Sequence, residues 1–264
     1  MRLNNNVVAA VLGMLILLIF HCQLNAQNWQ YASFNDKNGS LPYRFLLAEK
    51  TSVNKKIPLL IFLHGAGERG SDNQKQLIHG SDFFADAVQS GQHPAMIIFP
   101  QCPEEDYWAN IEREKQNNGS QTFSFIAEDI PTKSMQLLIN LIDSLVQLDY
   151  IDNKQIYLGG LSMGGMGTFE LLWRRPEAFA AAFPICGGGN PETVKAYNPE
   201  TAVWIFHGGA DPVVSPEYSS SMFKSMQQAG MHVKLSLYPD YGHNVWDAVF
   251  QDQEFLEWLF SKRK

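Results

Sequence analysis

The chain has 264 residues, with 20 Lys and Arg against 27 Asp and Glu, which gives a formal net charge of −7. This acidic balance disfavours a polyanionic partner such as nucleic acid. The sequence shows no internal repeat, and its length suits one domain of the α/β type with a substantial core.

Residues 1–26 have the pattern of a signal peptide. Arg2 supplies a positive start, residues 7–20 form an apolar run that is short for a membrane span, and Ala26 offers a small residue at a cleavage site. We predict an exported protein, periplasmic or secreted, whose mature part, residues 27–264, has no stable membrane span. The alternative is that the same apolar run stays as an uncleaved anchor.

Two strand-like segments open the mature chain, at residues 29–34 and 41–47. The sequence Asp36-Lys37-Asn38-Gly39 between them has strong turn chemistry. This pattern predicts an N-terminal antiparallel hairpin.

Strand-like and helical segments alternate through the rest of the chain. The predicted strands lie at residues 57–63, 95–99, 156–158, 180–185, 203–207 and 233–238, and the predicted helices at 131–149, 168–173, 217–229 and 244–260. Such alternation predicts an α/β fold with a mostly parallel central sheet and helices on both faces. The polar stretch from Glu112 to Gln121 is interpreted as a surface loop.

The segment from Gly160 to Gly164 reads Gly-Leu-Ser-Met-Gly, which fits the G-x-S-x-G nucleophile elbow. Its glycines stand where a strand and a helix approach too closely for side chains. A predicted strand precedes it and a helical pattern follows it, so we predict that Ser162 is a nucleophile.

A serine hydroxyl is a weak nucleophile at neutral pH and needs a histidine base oriented by a carboxylate. Asp211 follows one predicted strand and His243 follows the last, so the chain order is Ser, Asp, His, and all three lie at strand carboxyl ends. Asp240 is closer in sequence to His243, but it lies in a turn sequence, and the order of the motif selects Asp211.

Hydrolysis through a tetrahedral intermediate also requires donors for the oxyanion. The amide of Met163, directly after the nucleophile, is one candidate. Ala66, in the glycine-containing loop after the strand at 57–63, is the other.

Several neighbouring side chains are candidates for substrate binding. Trp108 and Trp246 could wall an aromatic or sugar pocket or belong to the core, and Gln101 is a candidate polar contact. Arg69 could meet a substrate carboxylate or brace its loop, and His64 is expected to order its loop rather than act as a base.

The mature chain has two cysteines, Cys102 and Cys186. Export makes a disulfide conceivable. However, both cysteines follow strands that a hydrolase strand order would separate by roughly 14 Å, whereas a bridge needs Cα atoms within about 7 Å. The sequence has no convincing zinc spacing and no phosphate-binding or dinucleotide glycine motif, so neither a metal nor a cofactor is predicted.

Together these motifs resemble those of the α/β-hydrolase carboxylesterases. The segment Leu63 to Gly70, the segment Phe99 to Pro103 with Trp108, the elbow, the Asp211 loop and Gly242-His243 with Trp246 carry the resemblance. More closely, the chain is similar to exported bacterial esterases of the polyhydroxybutyrate-depolymerase, feruloyl and acetylxylan esterase type. The resemblance implies Ser162 as nucleophile, His243 as base, Asp211 as acid, and Ala66 and Met163 as oxyanion donors.

We therefore predict a serine esterase that forms an acyl-enzyme. Its expected substrate is a small-molecule or polysaccharide ester, either carbohydrate-linked (feruloyl or acetyl) or another small carboxylic ester. Two alternatives use the same triad: a serine peptidase of the prolyl-oligopeptidase type, for whose propeller domain this chain has no room, and an acyltransferase.

Overall fold

The computed structural model describes residues 29–48, 55–115 and 121–264. The predicted signal peptide and its cleavage site at Ala26 lie outside these residues. In the part of the chain that the structure describes, no helix combines the length and the hydropathy needed to cross a membrane.

Eight strands form one central sheet. They are β1 (Gln30–Asp36), β2 (Gly39–Leu47), β3 (Ile57–Leu63), β4 (Met96–Pro100), β7 (Ile151–Leu161), β8 (Ala181–Ile185), β9 (Ala202–Gly208) and β10 (Val233–Tyr238). Their order in the sheet is β1-β2-β4-β3-β7-β8-β9-β10. The hairpin β1–β2 and the pair β2–β4 are antiparallel, and the other neighbours are parallel. The predicted α/β fold with an N-terminal antiparallel hairpin is confirmed.

Six α-helices accompany the sheet in the described ranges. They are α1 (Ser81–Gln89), α2 (Lys133–Leu145), α3 (Met163–Arg174), α4 (Pro216–Gln228), α5 (Trp246–Val249) and α6 (Gln253–Phe260). The single helix predicted over 244–260 is wrong, because the chain forms two helices there. Asp252 begins the second one by accepting a hydrogen bond from the backbone N–H of Glu254, as helix N-cap residues do.

Strand β3 shows how the core is divided. Side chains of a strand alternate between the two faces of a sheet, and here Leu59 and Ile61 belong to one apolar cluster while Leu60 and Phe62 belong to another. Helices α2, α3 and α4 contribute to the first cluster, and α1 and α6 to the second. Helices therefore cover both faces, as the alternation of segments predicted.

The interpretation of the 112–121 stretch as a surface loop is wrong for the residues that the structure describes. Residues 112–115 and Gln121 belong to an antiparallel pair, β5 (Ile111–Lys115) and β6 (Gln121–Phe125), which stands apart from the central sheet. The pair is anchored by a small apolar cluster that includes buried Phe123 and Met166 of α3. Because Met166 lies one turn after Ser162, the β5–β6 pair is placed close to the carboxyl edge of the sheet.

Candidate active site

Ser162 stands alone between the end of strand β7 and the start of helix α3. Its backbone adopts φ 53° and ψ −115°, in the positive-φ region that non-glycine residues rarely occupy. Such a conformation costs about 1–3 kcal/mol and persists only where the surroundings enforce it. One enforcing contact is the hydrogen bond from the Ser162 N–H to the carbonyl of Ile185 in the neighbouring strand, at 2.8 Å.

The two glycines of the elbow have no room for a side chain. A Cβ on Gly164 would lie 1.9 Å from the carbonyl oxygen of Leu63, and a Cβ on Gly160 would lie 2.5 Å from the carbonyl oxygen of Gly164. Both clashes are with backbone atoms, which cannot rotate away. The close approach of β3, β7 and α3 therefore requires glycine at both positions, as the motif predicted.

His243 and Asp211 complete a hydrogen-bonded chain with Ser162. The Ser162 Oγ lies 2.9 Å from Nε2 of His243, and Nδ1 of the same ring lies 2.7 Å from Oδ2 of Asp211. In the arrangement that satisfies both bonds, the hydroxyl donates to Nε2 and the Nδ1–H donates to the carboxylate. The Asp211 side chain is fully buried, while that of His243 is 20% exposed. The histidine that contacts the Ser162 hydroxyl is therefore accessible to solvent, whereas the carboxylate behind it is not.

Asp211 is held as a carboxylate by its neighbours. Burial by itself raises the pKa of this group, but hydrogen bonds from His207, from His243 and from the backbone N–H of Val214 outweigh it and hold the pKa well below its usual range. The N–H groups of Val213 and Val214 donate to Oδ1 at 2.8 and 3.0 Å. A buried anion of this kind is oriented and ready to stabilise a positive charge on His243.

The two predicted oxyanion donors both begin a helical turn. Met163 is the first residue of α3, and Ala66 is the first residue of a 3₁₀ turn over Ala66–Glu68. In neither case does the preceding residue cap the turn with its side chain. The first N–H groups of a helical turn have no partner within that turn, and they carry partial positive charge. The role of both amides as oxyanion donors stays a prediction.

His64 supports the Ala66 turn. Its Nδ1 donates to the carbonyl of Gly65 at 2.6 Å, and its Nε2 accepts the backbone N–H of Cys102 at 2.9 Å. Burial lowers the pKa of His64 to about 4. With both nitrogens occupied and the ring neutral, His64 ties the loop after β3 to the loop after β4.

A family model described as phospholipase/carboxylesterase matches residues 49–259. The chain belongs to this carboxylesterase family. It is 25% identical over 215 residues to the mouse lysophospholipase-like protein 1, a match that covers 77% of this chain and 86% of that protein. It is also 31% identical over 94 residues to a bifunctional acetylxylan esterase/xylanase of Neocallimastix patriciarum, covering 36% of this chain and 14% of that protein.

A solved structure of a thermostable esterase resembles this carboxylesterase with a TM-score of 0.78 and 32% sequence identity. The likeness covers 90% of this chain and 64% of the other, so this chain spans less than two thirds of that protein's length. The protein is therefore a serine esterase of the α/β-hydrolase type. This follows from its family and from the hydrogen bonds that join Ser162, His243 and Asp211.

Two predicted pocket residues of this carboxylesterase are buried instead. Trp108 is fully buried: its ring lies against His64, and it packs where a side chain at Gly167 would clash with it. Gln101 is also fully buried, and its side chain accepts the N–H of Asn73 and donates to Asp72 and to the carbonyl of Glu68. Neither side chain reaches the surface. For Trp108 the structure therefore supports the core alternative, and it gives no support to the predicted contact of Gln101 with substrate.

Trp246 is placed differently. It is partly buried and meets the ring of His243 edge to face, with ring centroids 5.5 Å apart. The ring of His79 also lies close to it, with centroids 5.1 Å apart. Trp246 is therefore the one predicted pocket residue that stands beside the hydrogen-bonded chain, and its contact with substrate stays a prediction.

Arg69 braces its loop. Its Nε donates to the carbonyl of Ala66 at 3.0 Å, and its Nη1 donates to the carbonyls of Glu104 and Asp106 at 2.7 and 3.2 Å. Of the two alternatives for this residue, the structure therefore supports the loop-bracing one. The Ala66 turn is held by His64 on one side and by Arg69 on the other.

Both cysteines of the predicted mature chain are buried free thiols. Each follows a strand, and these strands, β4 and β8, lie three strand spacings apart in the sheet, as expected.

Cys186 lies close to the site. Its sulfur and the ligand atoms of Asp211 and His243 lie within 4.8 Å of one another, the one such group of possible metal ligands in the described ranges. Asp211 and His243 are already bonded to each other, so the cluster is accounted for by the triad geometry.

Sequence reasoning missed the roles of two residues, His207 and Tyr218. His207, in the His-Gly-Gly-Ala-Asp segment that carries Asp211, is fully buried beside the carboxylate. Tyr218 of α4 accepts the backbone N–H of Phe123 at 2.9 Å and so fastens strand β6. A histidine four residues before the acid was a signal in the sequence, whereas no local pattern links Tyr218 to β6.

Proposed function

We propose that the protein is an exported serine carboxylic-ester hydrolase that works through an acyl-enzyme, with carbohydrate-linked feruloyl or acetyl esters, or other small esters, as its substrates. The observation that carries this proposal is the chain from Ser162 through His243 to Asp211, with spacings of 2.9 and 2.7 Å.

In the first half of the reaction, acylation, each of the three residues has one role. His243 Nε2 takes the hydroxyl proton as Ser162 Oγ bonds to the ester carbonyl carbon, and the carbonyl oxygen becomes an oxyanion facing the Ala66 and Met163 amides. Asp211 stabilises the imidazolium that forms. The C–O bond to the alcohol then breaks, and Nε2–H protonates the leaving oxygen.

In the second half of the reaction, water hydrolyses the acyl-enzyme, and His243 again acts first as base and then as acid. Water gives a proton to His243 Nε2 as its oxygen bonds to the acyl carbon, and the resulting intermediate releases the acid while Ser162 regains its proton. Thus one water is consumed for each ester cleaved. An acceptor sugar hydroxyl in place of water would give acyl transfer.

The substrate class is supported by two observations. The relative from Neocallimastix patriciarum is named as an acetylxylan esterase/xylanase, and the partly buried Trp246 places an aromatic ring beside His243. Export is supported by the leader pattern of Arg2, the apolar run at 7–20 and Ala26.

The test combines chemical labelling with a substrate panel. A fluorophosphonate should label Ser162, and Ser162→Ala should lose the label and several orders of magnitude of ester turnover. Ser221→Ala, on an exposed part of α4, is the matched control and should keep both. Labelling at another residue, or near-parental turnover by Ser162→Ala, would overturn the assignment.

The panel would contain p-nitrophenyl acyl esters, methyl ferulate, acetylated xylan, an acyl thioester and peptides, with and without a sugar acceptor. Turnover of methyl ferulate or acetylated xylan supports the proposed substrates. Preferential cleavage of peptides would indicate a peptidase, and an acylated sugar product would indicate an acyltransferase.

Export is tested on the native cells. Mass spectrometry should find an N-terminus at or near Gln27. A protein that retains Met1 would contradict the predicted cleavage.

A further inference from the structure

The carboxylate of Asp211 has a neighbour that the Ser-Asp-His scheme does not use. Nε2 of His207 lies 3.3 Å from Oδ2 of Asp211, the same oxygen that receives the Nδ1–H of His243. His207 is the penultimate residue of β9, and its side chain is fully buried. A buried imidazole against a catalytic carboxylate is a costly arrangement unless its polar atoms are satisfied.

Both nitrogens of His207 have partners. Nε2 lies 2.9 Å from the carbonyl oxygen of Val214, so with the carboxylate also nearby this nitrogen faces two acceptors and must carry a hydrogen. Nδ1 lies 2.7 Å from the hydroxyl of Ser219 in α4, and that hydroxyl lies 3.0 Å from the carbonyl oxygen of Gly187.

These contacts hold the turn that carries the acid. Val214 receives the Nε2–H of His207 through its carbonyl and donates its own N–H to Oδ1 of Asp211. His207 therefore fixes the 211–214 turn against strand β9, and Ser219 fixes His207 against the loop after β8. Among the residues that the structure describes, the other titratable groups against Asp211 are His243 and the buried thiol of Cys186.

We propose that His207 is a positioning residue of the esterase: it fixes the Asp211 turn, and its Nε2–H shares Oδ2 with His243 and so sets how strongly the carboxylate stabilises the His243 imidazolium. This inference rests on the proposed function of Ser162, His243 and Asp211. It assigns to His207 an effect on rate and on pH dependence, and no contact with substrate.

Two amide substitutions separate the two nitrogens of His207. The amide nitrogen of Gln stands near the position of Nε2 and can donate to Val214 and face Asp211, whereas that of Asn stands near Nδ1 and reaches only Ser219. His207→Asn releases the Asp211 turn from strand β9. The reaction should then slow roughly ten- to hundredfold, which corresponds to the free energy of a hydrogen bond to a charged group. His207→Gln should restore most of the rate.

The pH profile provides a readout that packing alone would not move. Without the partial positive charge of the Nε2–H beside Oδ2, His243 keeps its proton to higher pH, and the acid limb of the profile should move upward in His207→Asn but not in His207→Gln. Ser219→Ala removes only the Nδ1 partner and should have a smaller effect in the same direction.

The experiment measures the rate of fluorophosphonate labelling from pH 5 to 9 in the full chain, with melting temperature recorded for each variant. Labelling of the parent at Ser162 tests the proposed function by itself, because it requires no knowledge of the ester. Given that labelling, a folded His207→Asn with parental rate and acid limb, or a His207→Gln no better than His207→Asn, overturns the inference. If His207→Asn fails to fold, the other two variants decide. The inference is overturned when Ser219→Ala leaves the acid limb of the pH profile unchanged and His207→Gln shifts it.

Discussion

The backbone of Gly164 in α3 touches the backbone of Leu63 in β3, so closely that a methyl group added at Gly164 would stand 1.9 Å from the Leu63 carbonyl oxygen. This contact joins the helix after the nucleophile to the strand before the Ala66 turn. The two proposed oxyanion amides are therefore fixed relative to each other by packing of main chain on main chain.

Gly164→Ala should consequently destabilise the fold by more than about 3 kcal/mol, beyond the usual range for overpacking a core. Gly67→Ala is the matched control. A Cβ there meets nothing within 4 Å, so the change should stay within about 0.5 kcal/mol. Denaturant unfolding measures both, and equal stability of the two variants would contradict the close contact.

Asp211 and Asp240 provide a second matched pair. Asp211 is bonded to His243, whereas Asp240 is exposed in the turn before it. Asp211→Asn keeps the size but favours the wrong tautomer of His243 and should lower kcat roughly 10⁴-fold. Asp240→Asn should change it little. Measured kcat values in the reverse order would move the acid to Asp240.

His64 predicts a pH dependence of stability. Its pKa is about 4 in the folded protein against 6.5 ordinarily, because burial penalises the charged form. Between these values the unfolded chain binds the extra proton, so stability is fully present above pH 6.5 and falls as the pH drops toward 4, by about 3 kcal/mol in all.

Urea unfolding from pH 4.5 to 7.5 tests this window. His64→Gln, which keeps an acceptor for the Cys102 N–H but does not titrate, should show a flatter profile. A parent and a variant with the same slope would exclude His64 as the source. The pKa of Asp211 is held below its usual range, so its contribution to the stability of the fold is lost only at more acidic pH.

The two buried thiols should resist modification. Burial raises the pKa of Cys102 to about 12 and raises that of Cys186 well above its usual range, so almost no thiolate forms at pH 8. Labelling by a disulfide reagent should therefore require unfolding, as peptide mapping with and without guanidinium would show. Thiols still unlabelled after unfolding without reductant would instead indicate a bridge.

The sequence predicted the parts of the fold that repeat a pattern. Continuous apolar runs such as residues 57–63 mark strands buried on both faces, and the elbow glycines mark a crowded turn. Ser162, Asp211 and His243 could be grouped because each follows a strand, and parallel strands end at one edge of a sheet.

What the sequence did not predict depends on partners far along the chain. Strand β6 is held by Tyr218, which is 95 positions from Phe123. The sequence could not decide between pocket and core for Trp108, which is buried because Gly167 in another element leaves space for it. Gln101 is buried because three groups of the 68–73 loop satisfy its amide. Nothing next to these residues in sequence indicates those contacts.

The unusual backbone of Ser162 has a consequence for heating. Its conformation is imposed by the Ile185 carbonyl and by glycines packed on the main chain of β3, so no small local opening can relax the nucleophile while the sheet stays intact. Thermal inactivation should therefore coincide with cooperative melting of the whole domain, and cooling a sample that refolds should return activity and near-ultraviolet dichroism together.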